Sequence, residues 1–218
     1  MIVTIDGPAA SGKGTAAKAL ARSLGFDYLD TGAMYRAVAL ALVRARIDFA
    51  DLRAVEAALP GMRIGWAAGA VSLNGQDVTD AIREGEAAQN ASKVAAIDAV
   101  RLFLVEQQHR IADGRDIICD GRDQGSFVFP TAPCKFYIDA AFETRVERRF
   151  QEHVKKGKAV TREWVSADIA ERDTRDSTRH LGPLVRTPDM HHIDTTHMTP
   201  EEVLAKLEEV ARRCLART

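Results

Sequence analysis

Residues 1–5 form a short apolar, β-branched run that stops at Gly7 and Pro8, the pattern of a fully buried strand entering a tight loop. The period then changes. Ala16, Ala17, Leu20, Ala21 and Leu24 recur at helical spacing, and Gly25 supplies a stop, so a helix follows the loop. The alternation continues along the chain: residues 26–29 predict a brief strand, 31–46 a helix and 92–112 another helix. Residues 116–119, 135–139 and 191–194 predict short strands with helical sequence before or after each. A last helix over 200–217 repeats Val203, Leu204, Leu207, Val210 and Leu215 near helical spacing and is expected to cover the sheet. Strands alternating with helices predict an α/β fold, a parallel sheet with helices on both faces.

One stretch breaks the pattern. Over 60–85, Val71 and Leu73 alternate with Ser72 and Asn74, and Asn74-Gly75 is a hairpin signal, so an inserted β lobe is expected there. The chain of 218 residues suits one compact body with such a lobe, at roughly 100–200 residues per domain. Thirty Lys and Arg against 31 Asp and Glu leave a net charge of −1, so no overall positive field favours long nucleic acid or an acidic membrane. Cys119, Cys134 and Cys214 are odd in number and lack C-x-x-C spacing, which fits reduced thiols in the cytoplasm. No basic leader precedes the first strand and no window approaches the ~18 apolar residues of a membrane span. A soluble, unexported chain is expected, and the absence of heptads makes a monomer the default.

Gly7-Pro8-Ala9-Ala10-Ser11-Gly12-Lys13-Gly14-Thr15 carries the G-x-x-x-x-G-K core of a phosphate-binding loop. The spacing alone is weak, but it falls between a buried strand and a helix N-terminus, where free N–H groups and the helix dipole face an anion. The strict motif continues with Ser or Thr to reach Mg²⁺. Here Gly14 intervenes, so Thr15 is the candidate metal contact, directly or through water. No N-K-x-D tetrapeptide occurs to read guanine, and a small-molecule kinase becomes the leading class.

Three further segments carry charge near element ends. Residues 29–36 bring Thr31, Tyr35 and Arg36 within two helical turns, and Asp120-Gly121-Arg122-Asp123 follows a strand at its carboxyl end, where open α/β sheets bind ligands. In residues 171–179, Arg172, Arg175, Asp176 and Arg179 stand at relative positions 0, 3, 4 and 7, one helix face. Taken alone, the last segment reads first as a solvated helix with ion pairs such as Glu171 with Arg175. Beside a phosphate loop the reading changes, because transfer between two phosphates gathers negative charge that several arginines must neutralise.

The stretches 5–15, 29–36, 118–130 and 170–184, in this order along the chain, resemble the bacterial cytidylate kinases, nucleoside monophosphate kinases of the P-loop class. The resemblance implies a three-layer P-loop kinase core over 1–45, 90–148 and 176–218, a small β-containing monophosphate-binding lobe over about 46–89, and a short lid over about 149–175. It implies ATP with Mg²⁺ as donor and CMP and dCMP as acceptors. Gly7, Pro8, Ala9, Ala10, Ser11, Gly12, Lys13, Gly14 and Thr15 would hold the ATP phosphates, and Tyr35, Arg36, Arg122 and Arg172 the acceptor phosphate. Asp176 would bond the pentose hydroxyls, and Thr31, Arg101, Asp123 and Arg179 would read cytosine. Lys13, Arg122, Arg172 and Arg175 would act on the transferred group.

The base assignment also has a chemical basis: cytosine offers an amino donor beside acceptors, so a carboxylate accepts while arginines donate, and uracil reverses the pattern. A kinase for another small acceptor such as UMP or AMP, or a nucleotide sensor without turnover, stays open on the residues alone. The charged stretch 149–162 is expected as a mobile flap between two helices. His191 and His192 lack ligand spacing, Trp66 and Trp164 read as packing residues, and Cys119 reads as a small buried hydrophobe.

Overall fold

The computed structural model describes residues 1–67 and 69–216. Its central sheet is wholly parallel and contains β1 (Ile2–Asp6), β2 (Asp27–Asp30), β6 (Ile117–Gly121), β7 (Cys134–Asp139) and β8 (His191–Asp194), in the spatial order β2-β6-β1-β7-β8. Helices α1 (Lys13–Leu24) and α8 (Pro200–Leu215) cover one face through Leu20, Ala21, Leu207 and Ala211, which pack on Val3, Ile5, Phe136 and Ile138. The other face is covered by α2 (Thr31–Arg44) and α5 (Asp98–Ala112) through Met34, Val38, Val100 and Leu104. Strands buried on both sides explain why β1 reads as a continuous apolar run rather than an alternating one. The three-layer α/β architecture agrees with the sequence reading.

Local chemistry sets the element ends. Asp30 caps α2 by accepting from the Ala33 N–H at 2.9 Å, and Thr199 and Glu202 form a reciprocal capping box on α8, with Pro200 in the first turn. Arg217, the last expected residue of α8, lies outside the described residues. The expected lobe is present. A short helix α3 (Leu52–Ala58), which the sequence pattern did not announce, precedes the antiparallel strands β3 (Ile64–Ala67), β4 (Ala70–Leu73) and β5 (Gln76–Asp77). Asn74 and Gly75 form the β4–β5 turn with φ of 52° and 84°, as a two-residue hairpin requires. Ile64, Val71 and Leu73 join the same apolar cluster as Met34 and Leu29, so the lobe is built onto the core.

Three expectations need correction. The single helix over 92–112 is two helices, α4 (Gly85–Val94) and α5, separated at Ile97, which is extended with φ −87° and ψ 116°. The break frees the Ala95 carbonyl, which accepts from the buried Arg101 guanidinium at 3.1 Å. The supposed flap over 149–162 is largely helical: α6 (Phe142–Lys155) runs through residue 155, and only 156–161 form the connection to α7 (Arg162–Thr178). Glu152 pairs with Arg149 at 2.7 Å and with Lys156 at 2.6 Å, so charges that resemble a loop in sequence stitch successive turns of a helix. Trp66 is partly buried, as expected, but Trp164 is 52% exposed, with its ring edge-on to His153. No helix among the described residues is long and apolar enough to cross a membrane.

Candidate active site

The register of the sheet gathers the site. Asp6 on β1 pairs with Gly121 on β6, and Asp30 on β2 pairs with Asp120, so three strands end level with one another where their following loops meet. The first of these loops wraps the N-terminus of α1. At Gly7 a Cβ would fall onto the Ile138 carbonyl, and Gly12 caps α1 in the left-handed region at φ 87°. The first turn of α1 holds no acidic residue, which leaves its positive end available to an external anion. Lys13 is 8% exposed and donates to the Pro8 carbonyl at 3.2 Å. Burial, reinforced by the nearby Arg122, pushes its pKa down to about 7.

Beyond Lys13 opens a cleft of about 240 Å³ lined by five cationic side chains, Lys13, Arg36, Arg122, Arg172 and Arg179, and four carboxylates, Asp30, Asp120, Asp123 and Asp176, together with Gly14, Thr31 and Tyr35. The charges are largely cross-braced. Arg36 donates to Asp30 at 2.8 Å, Arg122 to Asp176 at 2.7 Å, and Arg179 to the Gly182 carbonyl at 2.6 Å. Burial opposes the charge on Asp176, but Arg122 and Arg179 hold its pKa below the usual carboxylate range. Arg172 is loosely neutralised, its nearest carboxylate being Asp168 at 3.7 Å, and burial with Arg122 lowers its pKa.

At the inner end Asp123, 2% exposed, accepts from the fully buried Arg101 and lies 3.5 Å from Arg179. Thr31 donates to the Asp120 carbonyl at 2.8 Å. The Tyr35 hydroxyl, Arg36 Nε, Arg101 Nε and Arg179 Nη2 are buried without a hydrogen-bond partner. Unpaired buried donors carry a desolvation cost that a bound anion or base relieves.

A second cleft, of about 580 Å³, lies on the outer side of the phosphate loop, lined by Ala10, Ser11, Gly12, Thr15, Arg148, Arg149, Thr195 and Met198 among others. Arg148 fixes one wall, donating to the Thr195 carbonyl at 2.6 Å and to the Thr195 hydroxyl at 3.0 Å. The two clefts thus flank the loop, one larger and less charged, the other narrow and cationic. Lining the cationic cleft is Asp120. Tyr28 donates to it at 2.9 Å, and burial followed by the repulsion of Asp30 raises its pKa to about 6.

The family model for cytidylate kinase matches residues 3–213. The chain belongs to the cytidylate kinase family. It is 43% identical over 211 residues to the cytidylate kinase of Thermotoga petrophila, covering 96% of each chain. It is 42% identical over 214 residues to that of Solibacter usitatus, covering 97% of this chain and 92% of the other. A gluconokinase from Sinorhizobium meliloti shares the fold, with a TM-score of 0.50 at 13% identity over 99% of this chain and 94% of that one.

For a cytidylate kinase, the residues expected from sequence divide cleanly. Lys13, Gly14, Thr31, Tyr35, Arg36, Arg122, Asp123, Arg172, Asp176 and Arg179 line the cationic cleft, and Arg101 stands directly behind Asp123. Ala10, Ser11, Gly12 and Thr15 line the outer cleft. Gly7, Pro8 and Ala9 line neither cleft. Arg175 is not among the residues lining either cleft, and it pairs with Glu171 at 3.2 Å. Sequence reasoning missed several participants. Asp6, fully buried, accepts from the Gln124 and Gly125 N–H groups at 2.8 Å each and so holds the turn bearing Arg122 and Asp123. Its signal was a lone carboxylate ending an apolar strand. Arg145, Arg148 and Asp173 carry no such signal, and Asp120 is marked in the sequence only as the first residue of the turn that bears Arg122 and Asp123. His191 and His192 sit on β8, and no group of three His, Cys, Asp or Glu among the described residues is placed to hold a metal.

Proposed function

We propose that this member of the cytidylate kinase family transfers the γ-phosphoryl group of ATP to CMP and dCMP, releasing ADP with CDP or dCDP. The observation that carries the reading is one cleft with Lys13 at its mouth and the carboxylate of Asp123, set between Arg101 and Arg179, at its inner end. A cationic cleft alone suits any phosphate, whereas a buried acceptor flanked by donors matches the edge of cytosine and opposes that of uracil.

In this reading ATP occupies the outer cleft, its phosphates threading the loop of residues 7–15 onto Lys13. CMP lies in the inner cleft, its phosphate on Tyr35, Arg36, Arg122 and Arg172, its pentose on Asp176, and its base on Thr31, Arg101, Asp123 and Arg179. The attacking oxygen belongs to a phosphate whose second pKa is about 6, so no protein base is required. That oxygen forms the new P–O bond as the bond to the ADP oxygen breaks, and catalysis rests on alignment and charge neutralisation. Mg²⁺ fits this site, because Asp120, a buried carboxylate beside Gly14 of the phosphate loop that pairs with no cation among the described residues, is the kind of partner it takes when substrate phosphates supply the other ligands. Asp120 and Thr15 would hold it, and when bound with ATP it neutralises the phosphate oxygens.

The lobe over about 46–89 serves the monophosphate side, and the helical segment about 149–175 serves as the lid over the transferred group. The enzyme is read as a cytoplasmic monomer, supported by its odd cysteine count and near-neutral charge. The test is ADP release from ATP and Mg²⁺ with CMP, dCMP, UMP, AMP or no acceptor. CMP and dCMP are expected to drive turnover well above UMP and AMP; equal rates with UMP or AMP refute the cytosine reading, and release independent of acceptor refutes the kinase.

A further inference from the structure

Positions 8–10 of the phosphate loop, Pro8-Ala9-Ala10, are spacers in the motif, yet Ala9 is held on both its N–H and its carbonyl by side chains from other elements. Ala9 is 4% exposed and belongs to a small apolar cluster with Val146 on α6 and with Val165 and Ile169 on α7. Ala10 follows in the left-handed region with φ 58°, which a residue with a side chain rarely adopts without support. The support is polar. The Ala9 N–H donates to Asp173 Oδ1 at 3.2 Å, and the Ala9 carbonyl accepts from Arg145 Nη1 at 3.0 Å. The same Arg145 nitrogen donates to Asp173 Oδ2 at 2.5 Å, and Arg145 Nε donates to the Ala140 carbonyl at 3.1 Å. One residue of the loop, one side chain of α6 and one of α7 therefore close a ring. Its charged members are 9% and 23% exposed, where charge-assisted bonds are strong and geometrically demanding.

Asp173 adjoins Arg172 in α7, the helix that also carries Asp176. Arg172 points into the cationic cleft with Lys13, while Asp173 grips the back of the loop that carries Lys13. We propose that Asp173, acting with Arg145, is a positioning residue that fixes the height of α7 against the phosphate loop, so that Arg172 meets the transferred group in register with Lys13. The inference rests on the proposed kinase reading. It assigns no contact with substrate to either residue. Tyr35, Arg36, Arg101 and Asp123 reside on other elements and hold part of CMP without the ring, whereas the placement of Arg172, and of Asp176 on the same helix, depends on it.

The test is steady-state kinetics of Asp173→Asn, an isosteric change that leaves one of the two donors without an acceptor. Since a displacement of about 1 Å can cost ~10²-fold in rate, kcat is expected to fall between ~10- and ~10²-fold, with a smaller rise in KM for CMP because Arg172 and Asp176 shift together on α7. ADP release without acceptor should stay near its wild-type rate, because the ATP phosphates still have Lys13. Arg145→Lys, which keeps the charge and loses the fork, carries the same expectation if Asp173→Asn does not fold, and the double variant should lose no more than the worse single one. An unchanged kcat, or a rise in KM for CMP at constant kcat, overturns the proposal, as does a parallel fall of acceptor-free hydrolysis. Wild-type protein assayed alongside keeps the two claims apart: failure of the wild type to use CMP refutes the kinase reading, and normal wild-type turnover with an unaltered variant refutes the ring alone.

Discussion

Replacing Asp123 with Asn tests the reading of the base with almost no change in shape. The carboxylate is 2% exposed, accepts from Arg101, which is 0% exposed, and lies 3.5 Å from Arg179. In CMP the exocyclic amino group would donate to it, a hydrogen bond to a charged group worth about 1.5–3 kcal/mol. At about 1.36 kcal/mol per tenfold in rate, its loss predicts a ~10- to 150-fold fall in kcat/KM for CMP. UMP presents a carbonyl at the same edge, to which the Asn amide can donate, so its kcat/KM should hold or rise. The CMP-to-UMP ratio measured by coupled ADP release therefore drops by at least the CMP factor. The same change strips the counter-charge from a buried guanidinium, a loss of roughly 3–5 kcal/mol when one partner of a buried pair is removed. Urea unfolding monitored alongside establishes that the assayed protein is folded. Equal losses for the two pyrimidines would falsify the assignment of Asp123 to the base, because damage to folding alone cannot favour one over the other.

Three more expectations follow from the geometry. Lys13 has a pKa of about 7 in the unliganded cleft, and phosphate oxygens will raise it. Below that pH the ammonium is charged before and after ATP binds, whereas above it binding takes up a proton, so KM for ATP should climb up to tenfold per pH unit on the alkaline side; a flat profile, or calorimetric heats at alkaline pH that do not depend on the buffer's ionisation enthalpy, contradicts this. Arg172→Ala should raise KM for CMP and lower kcat, while Arg175→Ala should lower kcat alone by ~10-fold or more, and a KM change confined to Arg175→Ala reverses the two roles. Leu207→Ala, at a fully buried position of α8 against the sheet, should cost about 2–5 kcal/mol in chemical denaturation, and a loss below about 1 kcal/mol means the helix packs more loosely than described.

What could be read from the chain, and what could not, follows from the range of each interaction. The switch from a β-branched run to helical spacing across Gly7 and Lys13 is local, and the strand, loop and helix fall where that switch predicts. So does the Asn74-Gly75 turn, because its two positive φ angles are a property of those residues. The break between α4 and α5 is different: nothing near residues 95–97 announces it, since its partner is Arg101, buried by the whole fold. Arg145 and Asp173 are 28 positions apart, and each alone looks like one more charge on a solvated helix. Arg175 illustrates a finer limit. At ~100° per residue it lies ~60° to one side of Arg172, with Asp176 ~40° to the other, so a shared stripe in sequence becomes two neighbouring surfaces, only one of which faces the cleft.

The two tryptophans of the chain sit in the inserted lobe and in the helical pair, one in each. Trp66 donates its indole N–H to the Tyr28 carbonyl at 2.8 Å with its ring 6.4 Å from the tyrosine ring, whereas Trp164 is half exposed beside His153. Their emission should differ in colour, Trp66 bluer and Trp164 redder, because water relaxes the excited indole only where it can reach it. The unlabelled protein therefore carries two built-in optical gauges, and a stopped-flow trace after removal of either fluorophore by Trp→Phe would time one moving part against the other.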